Sequence, residues 1–239
     1  EPVEMILRGT EEQRAFTTAF GGAEARPTDA EFVLRDTTDS DVVEYYRDFY
    51  VTGQENAPFR LVKRYTFEPG EYLFQLDVTL ENSRNAFIPL NFDGSAYTLT
   101  VGPQIGPTYQ VLDNRNEYRR FHYLEDDSRE DVNIRGTGSE RIEERVGWAA
   151  IAGKYFAVIG VPDSTQYDIV FAQRQAEGLE DTAFMSFVRP VVRSSRSTDR
   201  YRFYVGPKTT RVLERYEDAG ANAFGAQNLG LDNIVDRRF

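Results

Sequence analysis

An all-β fold of antiparallel sheets is predicted by three observations. Aromatic and branched residues recur at every second position over many short runs, turn-forming residues separate those runs, and a clear helical periodicity enters only after residue 205. With 14 Tyr and 17 Phe in 239 residues, many of the flat side chains sit in such runs, where they favour a pleated strand over a helix.

Taken in chain order, Val43, Tyr45, Phe49 and Val51 open the pattern. Phe59, Leu61, Tyr65 and Phe67 repeat it, and Glu68-Pro69-Gly70-Glu71 then places Pro and Gly where a tight turn needs them. Beyond the turn, Tyr72, Phe74, Leu76, Val78 and Leu80 share one face, while Gln75, Asp77 and Thr79 take the other with Leu73 as the exception. The two runs predict an antiparallel hairpin. Tyr97, Leu99 and Val101 form a further strand, and the charged stretch from Asp113 to Arg145 reads as long solvated connections around short edge strands. Trp148 to Ala152 and Tyr155 to Val161 flank Gly153-Lys154 and are nearly continuously apolar, which predicts two strands buried on both faces at the centre of the core. Tyr201, Phe203 and Val205 make the last strand. After Gly206, Pro207 suits a first helical turn, and Thr209, Val212, Leu213 and Tyr216 fall on one face of an amphipathic helix that should end before Gly220. Leu231, Ile234, Val235 and Phe239 form a second, shorter amphipathic segment beside Arg237 and Arg238.

Composition excludes several classes of function. A net charge of -11 opposes the neutralisation of phosphates, so nucleic acid is not an expected partner. Zero cysteines remove disulfides, thiolate metal sites and thiol nucleophiles, and the single histidine, His122, removes every multi-histidine metal centre. No cofactor and no metal are expected. Glu1-Pro2-Val3-Glu4 is acidic where a secretory signal is basic, and Lys154 interrupts the longest weakly charged stretch, which argues against a spanning helix.

The remaining chemistry is sparse. His122 lies in an alternating run, opposite Phe121 and Tyr123, and is expected to be a surface or edge-strand histidine rather than a general acid or base. Asp126-Asp127 and Glu130-Asp131 lack the ordered spacing and central glycine of a calcium loop. Gly102-Pro103-Gln104-Ile105-Gly106-Pro107 and Gly136-Thr137-Gly138-Ser139 lack the Lys-Ser/Thr of a phosphate loop and read as turns. Glu143 and Glu144 would point to opposite faces of a strand, and Tyr109, Phe121 and Tyr123 could line a groove but equally fill a β core. No catalytic residue is expected, and the chain is not expected to be an enzyme.

Four landmarks, in one order, carry a family resemblance. The hairpin Arg64-Tyr65-Thr66-Phe67-Glu68-Pro69-Gly70-Glu71-Tyr72, the Gly102 to Pro107 turn, Gly147-Trp148 through Lys154-Tyr155-Phe156-Ala157 to Val161-Pro162, and Tyr204-Val205-Gly206-Pro207-Lys208 resemble the large periplasmic domain of the YidC-type membrane protein insertases. The resemblance implies a β-supersandwich of antiparallel sheets like that of galactose mutarotase, facing the periplasm from the bacterial inner membrane. It implies a membrane helix before the domain and further spans after it, so that this chain corresponds to an excised domain. Residues 1–205 would form the supersandwich and residues 206–239 a helical segment leading to the membrane-embedded insertase. Its implied role is insertion and folding of inner-membrane proteins as a non-catalytic binding or positioning module, with nascent membrane proteins and the Sec translocon as partners. Gly206, Pro207, Lys208, Arg211, Val212, Leu213, Arg215, Tyr216, Arg237 and Arg238 are the candidate docking residues, their bases meeting a lipid surface near the C-terminus. On the same fold, a carbohydrate-binding or aldose-epimerase-like protein using His122 is the alternative.

Overall fold

A computed structural model describes residues 15–28, 30–102, 119–176 and 179–236. Within them the alternating runs become fourteen strands. The first seven are β1 (Thr17–Ala19), β2 (Val33–Arg35), β3 (Val42–Phe49), β4 (Phe59–Thr66), β5 (Leu73–Glu81), β6 (Leu90–Val101) and β7 (Arg120–Glu125). The others are β8 (Ser128–Val132), β9 (Gly138–Ile142), β10 (Trp148–Ala152), β11 (Phe156–Pro162), β12 (Asp168–Ala176), β13 (Leu179–Val192) and β14 (Arg196–Pro207). They form two sheets, one of five strands in the order β1-β6-β13-β12-β9 and one of nine in the order β2-β3-β4-β5-β14-β11-β10-β7-β8. The expectation of an all-β, antiparallel architecture is met.

The two sheets bury their inner faces against one another. Phe59, Leu61, Leu76, Val78 and Leu80 come from the predicted hairpin, and Phe203, Phe187, Phe171 and Leu99 meet them from other strands of both sheets. Leu73, the exception to the alternation, points to the other side of the large sheet and joins a second apolar cluster there. A polar rivet also crosses the main core. The Tyr97 hydroxyl on β6 donates to Asp199 on β14 at 2.8 Å and lies 2.9 Å from the Tyr201 hydroxyl, while Arg189 on β13 donates to the other Asp199 oxygen at 2.8 Å. Burial pushes the Asp199 carboxyl above its ordinary range, and Arg189 opposes it. Lys63 occupies an inward position of β4, its ammonium donating to the Phe16 carbonyl at 2.8 Å, and burial pulls its pKa down to about 7.

Four sequence expectations are corrected. In the described part of the charged stretch, residues 119–145, β8 and β9 are the short edge strands expected, but Arg120–Glu125 is strand β7 and not connection, and β7 is paired on both sides, by β10 and β8. His122 is therefore neither an edge nor a surface residue: it is 3% exposed. Asp126 and Asp127 adopt φ of 47° and 62° as the two-residue turn of the β7–β8 hairpin, because short carboxylate side chains tolerate the left-handed region. Among the residues expected at the doubly covered centre, Tyr155 is 65% exposed in the β10–β11 turn and Phe156 is only half-buried. Finally, β14 continues through Gly206 and Pro207, so the helix starts later than predicted. Helix α1 (Thr210–Leu213) makes one turn and tightens into a 3₁₀ turn at Glu214–Glu217. Two bonds extend the strand instead: Lys208 N–H donates to the Tyr155 carbonyl at 2.7 Å, and the Tyr204 hydroxyl donates to the Pro207 carbonyl at 2.6 Å. The Gly102 to Pro107 turn beyond Gly102, and Tyr109, lie outside the described residues.

Candidate functional site

The chain beyond β14 folds back as a cap on the outer face of the large sheet. That face is apolar where β10 and β11 lie, because every residue of Trp148–Ala152 is buried and the outward members need cover. Leu213, Tyr216, Ala226, Leu231 and Ile234 supply it, packing on Trp148, Ala150, Ile159 and Tyr204. The Trp148 indole N–H donates to the Gly230 carbonyl at 3.1 Å. Gly230 takes φ of 62°, which a side chain would resist, and turns the chain into a 3₁₀ turn at Leu231–Ile234.

Two polar clasps lock the cap. At the first, the Glu71 carboxylate accepts from Arg215 Nη2 at 2.8 Å, from the Tyr216 hydroxyl at 2.9 Å and from Ala223 N–H at 2.9 Å. The second joins β7 and β8 to the end of the cap. His122 Nδ1 lies 2.7 Å from Asp131 Oδ1, and Arg129 reaches both Asp131 and Asp236, at 3.3 and 3.1 Å. The Arg129 guanidinium also donates to the Ile234 carbonyl at 3.2 Å, and Lys208 Nζ stands 3.5 Å from Asp236. Burial lowers the His122 pKa, Asp131 opposes this, and the nearby Arg129 and Lys208 charges reinforce it. Burial raises the Asp236 carboxyl, but Lys208 and Arg129 outweigh it and hold it below the usual carboxylate range.

The candidate docking residues divide accordingly. Val212 is half-buried and Leu213 and Tyr216 are buried beneath the cap. Lys208 and Arg215, expected on a basic outer face, turn inward to Asp236 and Glu71 because those carboxylates are within reach and partly desolvated. Arg211 remains exposed, and Arg237 and Arg238 lie outside the described residues. Gly206 has a steric role: a Cβ there would meet the Tyr72 ring at 2.8 Å. Pro207 ends β14. Sequence reading missed Glu71, Arg129 and Asp236, since nothing local marks a surface-type charge whose partner lies a hundred residues away, and it missed Asp131 because the β7–β8 hairpin that sets it against His122 was not expected.

Phe16, near the start of the described residues, packs at one end of the sandwich. Phe16 sets its ring against Phe203, Phe74 and Tyr65, with centroids 4.9, 5.6 and 6.2 Å away, near the ends of their strands closest to the β4–β5 turn. Asp236 lies between Lys208, the first residue past β14, and Arg129 on β8, at 3.5 and 3.1 Å.

The YidC periplasmic domain family model matches residues 10–236. The chain belongs to that family. It is 34% identical to the membrane protein insertase YidC of Treponema denticola over 98% of this chain and 41% of that protein. It is 29% identical to that of Treponema pallidum over 98% of this chain and 43% of that protein. The chain thus spans about two fifths of the length of these relatives. Among solved structures, a galactose mutarotase-like protein from Lactobacillus casei superposes with a TM-score of 0.51 over 80% of each chain at 10% identity, a likeness of fold alone. The fold and family expected from the sequence are both met, and the family is the periplasmic domain of an inner-membrane insertase and not an enzyme family. The aldose-epimerase alternative falls with it. His122, beneath the cap and bound to Asp131, offers no imidazole to a sugar.

Among the described residues no helix is long and apolar enough to cross a membrane.

Proposed function

We propose that this domain is a non-catalytic mount that positions the membrane-embedded part of a YidC insertase while inner-membrane proteins are inserted and folded, alone or beside the Sec translocon. One observation carries the reading: residues 208–236 are packed and clasped onto the large sheet, so their position is set by the sheet. A segment held at both Glu71 and Arg129 transmits the orientation of the sandwich to whatever follows it in the chain. A freely jointed linker would not. Residues 1–205 act as the rigid body and residues 206–239 as the coupling segment, with nascent membrane proteins as the substrates.

Disabling the clasps without emptying the core tests this. In a full-length insertase carrying this domain, Arg129→Gln combined with Glu71→Gln should loosen the cap. Insertion of a dependent membrane protein is expected to fall while the variant still accumulates in the membrane and its sheet domain resists protease. Undiminished insertion in a variant whose cap is shown to be loosened, by new cleavage between Pro207 and Asp236, would overturn the mount.

A further inference from the structure

The aromatics at the β4–β5 and β10–β11 turns expose more of their rings than packing requires. Phe67 is 43% exposed, Tyr72 45% and Tyr155 65%, although the neighbouring core is closed. Phe67 and Tyr72 stand at either side of the β4–β5 turn and Tyr155 in the β10–β11 turn. Two strand spacings, roughly 10 Å, separate β5 from β11, so the three rings line one short rim.

The rim is built rather than frayed. Phe67 leans on Phe74 at 5.3 Å and stacks with Tyr65 at 6.5 Å, which fixes its ring at the boundary of the core. Tyr72 packs on Tyr204 at 6.1 Å and fills the space that Gly206 leaves open. Tyr155 carries the Lys154 ammonium over its ring at 5.1 Å, and its carbonyl is tied to Lys208 N–H. Rings with a polar tip or a cation above them suit the boundary between lipid and water, where the flat face meets acyl chain and the charge stays wet.

We propose that this rim is a lipid-facing surface, with Phe67, Tyr72 and Tyr155 seated in the headgroup region of the bilayer that holds the rest of the insertase. The inference rests on the mount reading only in placing the domain beside that bilayer. Position supports it, since Phe16, near the start of the described residues, and Lys208, where the cap leaves β14, both lie at this same end. Charge selects the mode of contact. A chain of net charge -11 is repelled by anionic lipid at long range, and Lys208 and Arg215 are spent on internal ion pairs, so aromatic burial must supply the contact while Lys154 and Arg211 remain as local bases.

The absence of cysteine allows a site-specific probe. Lys154→Cys, beside Tyr155, and Arg84→Cys, in the β5–β6 connection at the far end, each receive an environment-sensitive fluorophore. The 239-residue chain is tethered through a C-terminal histidine tag to phosphatidylcholine vesicles doped with a nickel-chelating lipid. The expected result is a blue shift and a severalfold intensity gain at position 154, quenched by headgroup spin-labelled lipid, with no change at position 84. High salt should leave the gain in place. Adding Phe67→Ser and Tyr155→Ser should abolish it while near-ultraviolet dichroism stays native, and Tyr155→Ser alone, in an exposed turn, should already reduce it. No gain at position 154, equal gains at both positions, or a gain lost in salt would each overturn the lipid rim, the first in favour of a protein partner. None of these readouts depends on insertion, so the rim can fail while the mount stands, and the reverse.

Discussion

The outer face of the nine-stranded sheet is two surfaces in one. Over β14, β11, β10 and β7 it is apolar and lies under the cap, with Trp148, Ala150, Ile159 and Tyr204 buried. Over β2 to β5 it faces water and is tiled with charge: Glu44 sits between Arg35 and Arg64 at 2.6 and 3.1 Å, Asp48 pairs with Arg60 at 2.7 Å, and Asp77 with Arg200 at 2.8 Å. The backbone pairing is continuous across the boundary, since β5 and β14 pair over nine residues from Arg196↔Glu81 to Tyr204↔Leu73. What differs is the chemistry of the outward positions alone. Hydrogen bonding builds the sheet, and side-chain composition decides which part of it acquires a third layer.

The sharpest way to break this comparison is to empty the capped half. Trp148 is fully buried and spans the sheet–cap interface, so Trp148→Ala should destabilise the domain by about 3–5 kcal/mol through lost burial and the cavity left behind. Denaturant unfolding followed by circular dichroism measures it. A loss below about 1 kcal/mol, the value for an exposed site, would mean that the cap contributes no more than the open half does.

A smaller effect should come from His122, in the capped half, as the solution is acidified below pH 6.5. His122 faces Asp131 and Arg129 on β8 and Lys208 just past β14, and the last two also hold Asp236 on the cap. Its folded pKa lies below the ordinary 6.5, so the unfolded chain takes up the proton first and stability falls as pH drops from 6.5 towards the folded value. Asp236, also depressed, adds its loss only below 3.8, in a separate window. Unfolding midpoints should therefore decline as pH falls below 6.5, and His122→Gln should flatten that decline. An unchanged slope in the variant would locate the titration elsewhere.

The sequence made the sandwich legible because strands write their burial into every second residue. The Phe59–Thr66 and Leu73–Glu81 hairpin, the doubly covered Trp148–Ala152 strand and the last strand are all readable, whereas Leu73 reads only as a break in the alternation until the structure sets it in the second core. The cap was readable only as amphipathic residues, Val212, Leu213, Tyr216, Leu231 and Ile234, without the surface they cover. Its clasps were not readable at all. Glu71 and Arg215 are 144 residues apart, and Arg129 and Asp236 are 107, so each looks in sequence like an ordinary solvated charge until the topology brings its partner. His122 was misplaced for the same reason, since an alternating run does not say whether its polar face meets water or another layer.

The smallest expected effect belongs to the open half and tests whether its tiling is structural or merely soluble. Asp48 and Arg60 stand opposite one another on β3 and β4, bonded through Nε and Nη2 of the guanidinium at 2.7 and 3.0 Å, and both side chains are substantially exposed. The Arg60 hydrogen bond holds the Asp48 carboxyl below its ordinary range, because the guanidinium favours the charged form. Exposed pairs gain little, because solvent and salt screen the attraction and two side chains must be held still. A double-mutant cycle on Asp48→Ala and Arg60→Ala should give a coupling of about 0.2–1 kcal/mol that shrinks with added salt. Arg60 also lies 4.6 Å over the Tyr46 ring, so the single Arg60→Ala variant should lose slightly more than the coupling itself. A salt-independent coupling as large as the Trp148→Ala loss would mean that the charged half is held as firmly as the capped one, and the division of the sheet into two surfaces would have no energetic meaning.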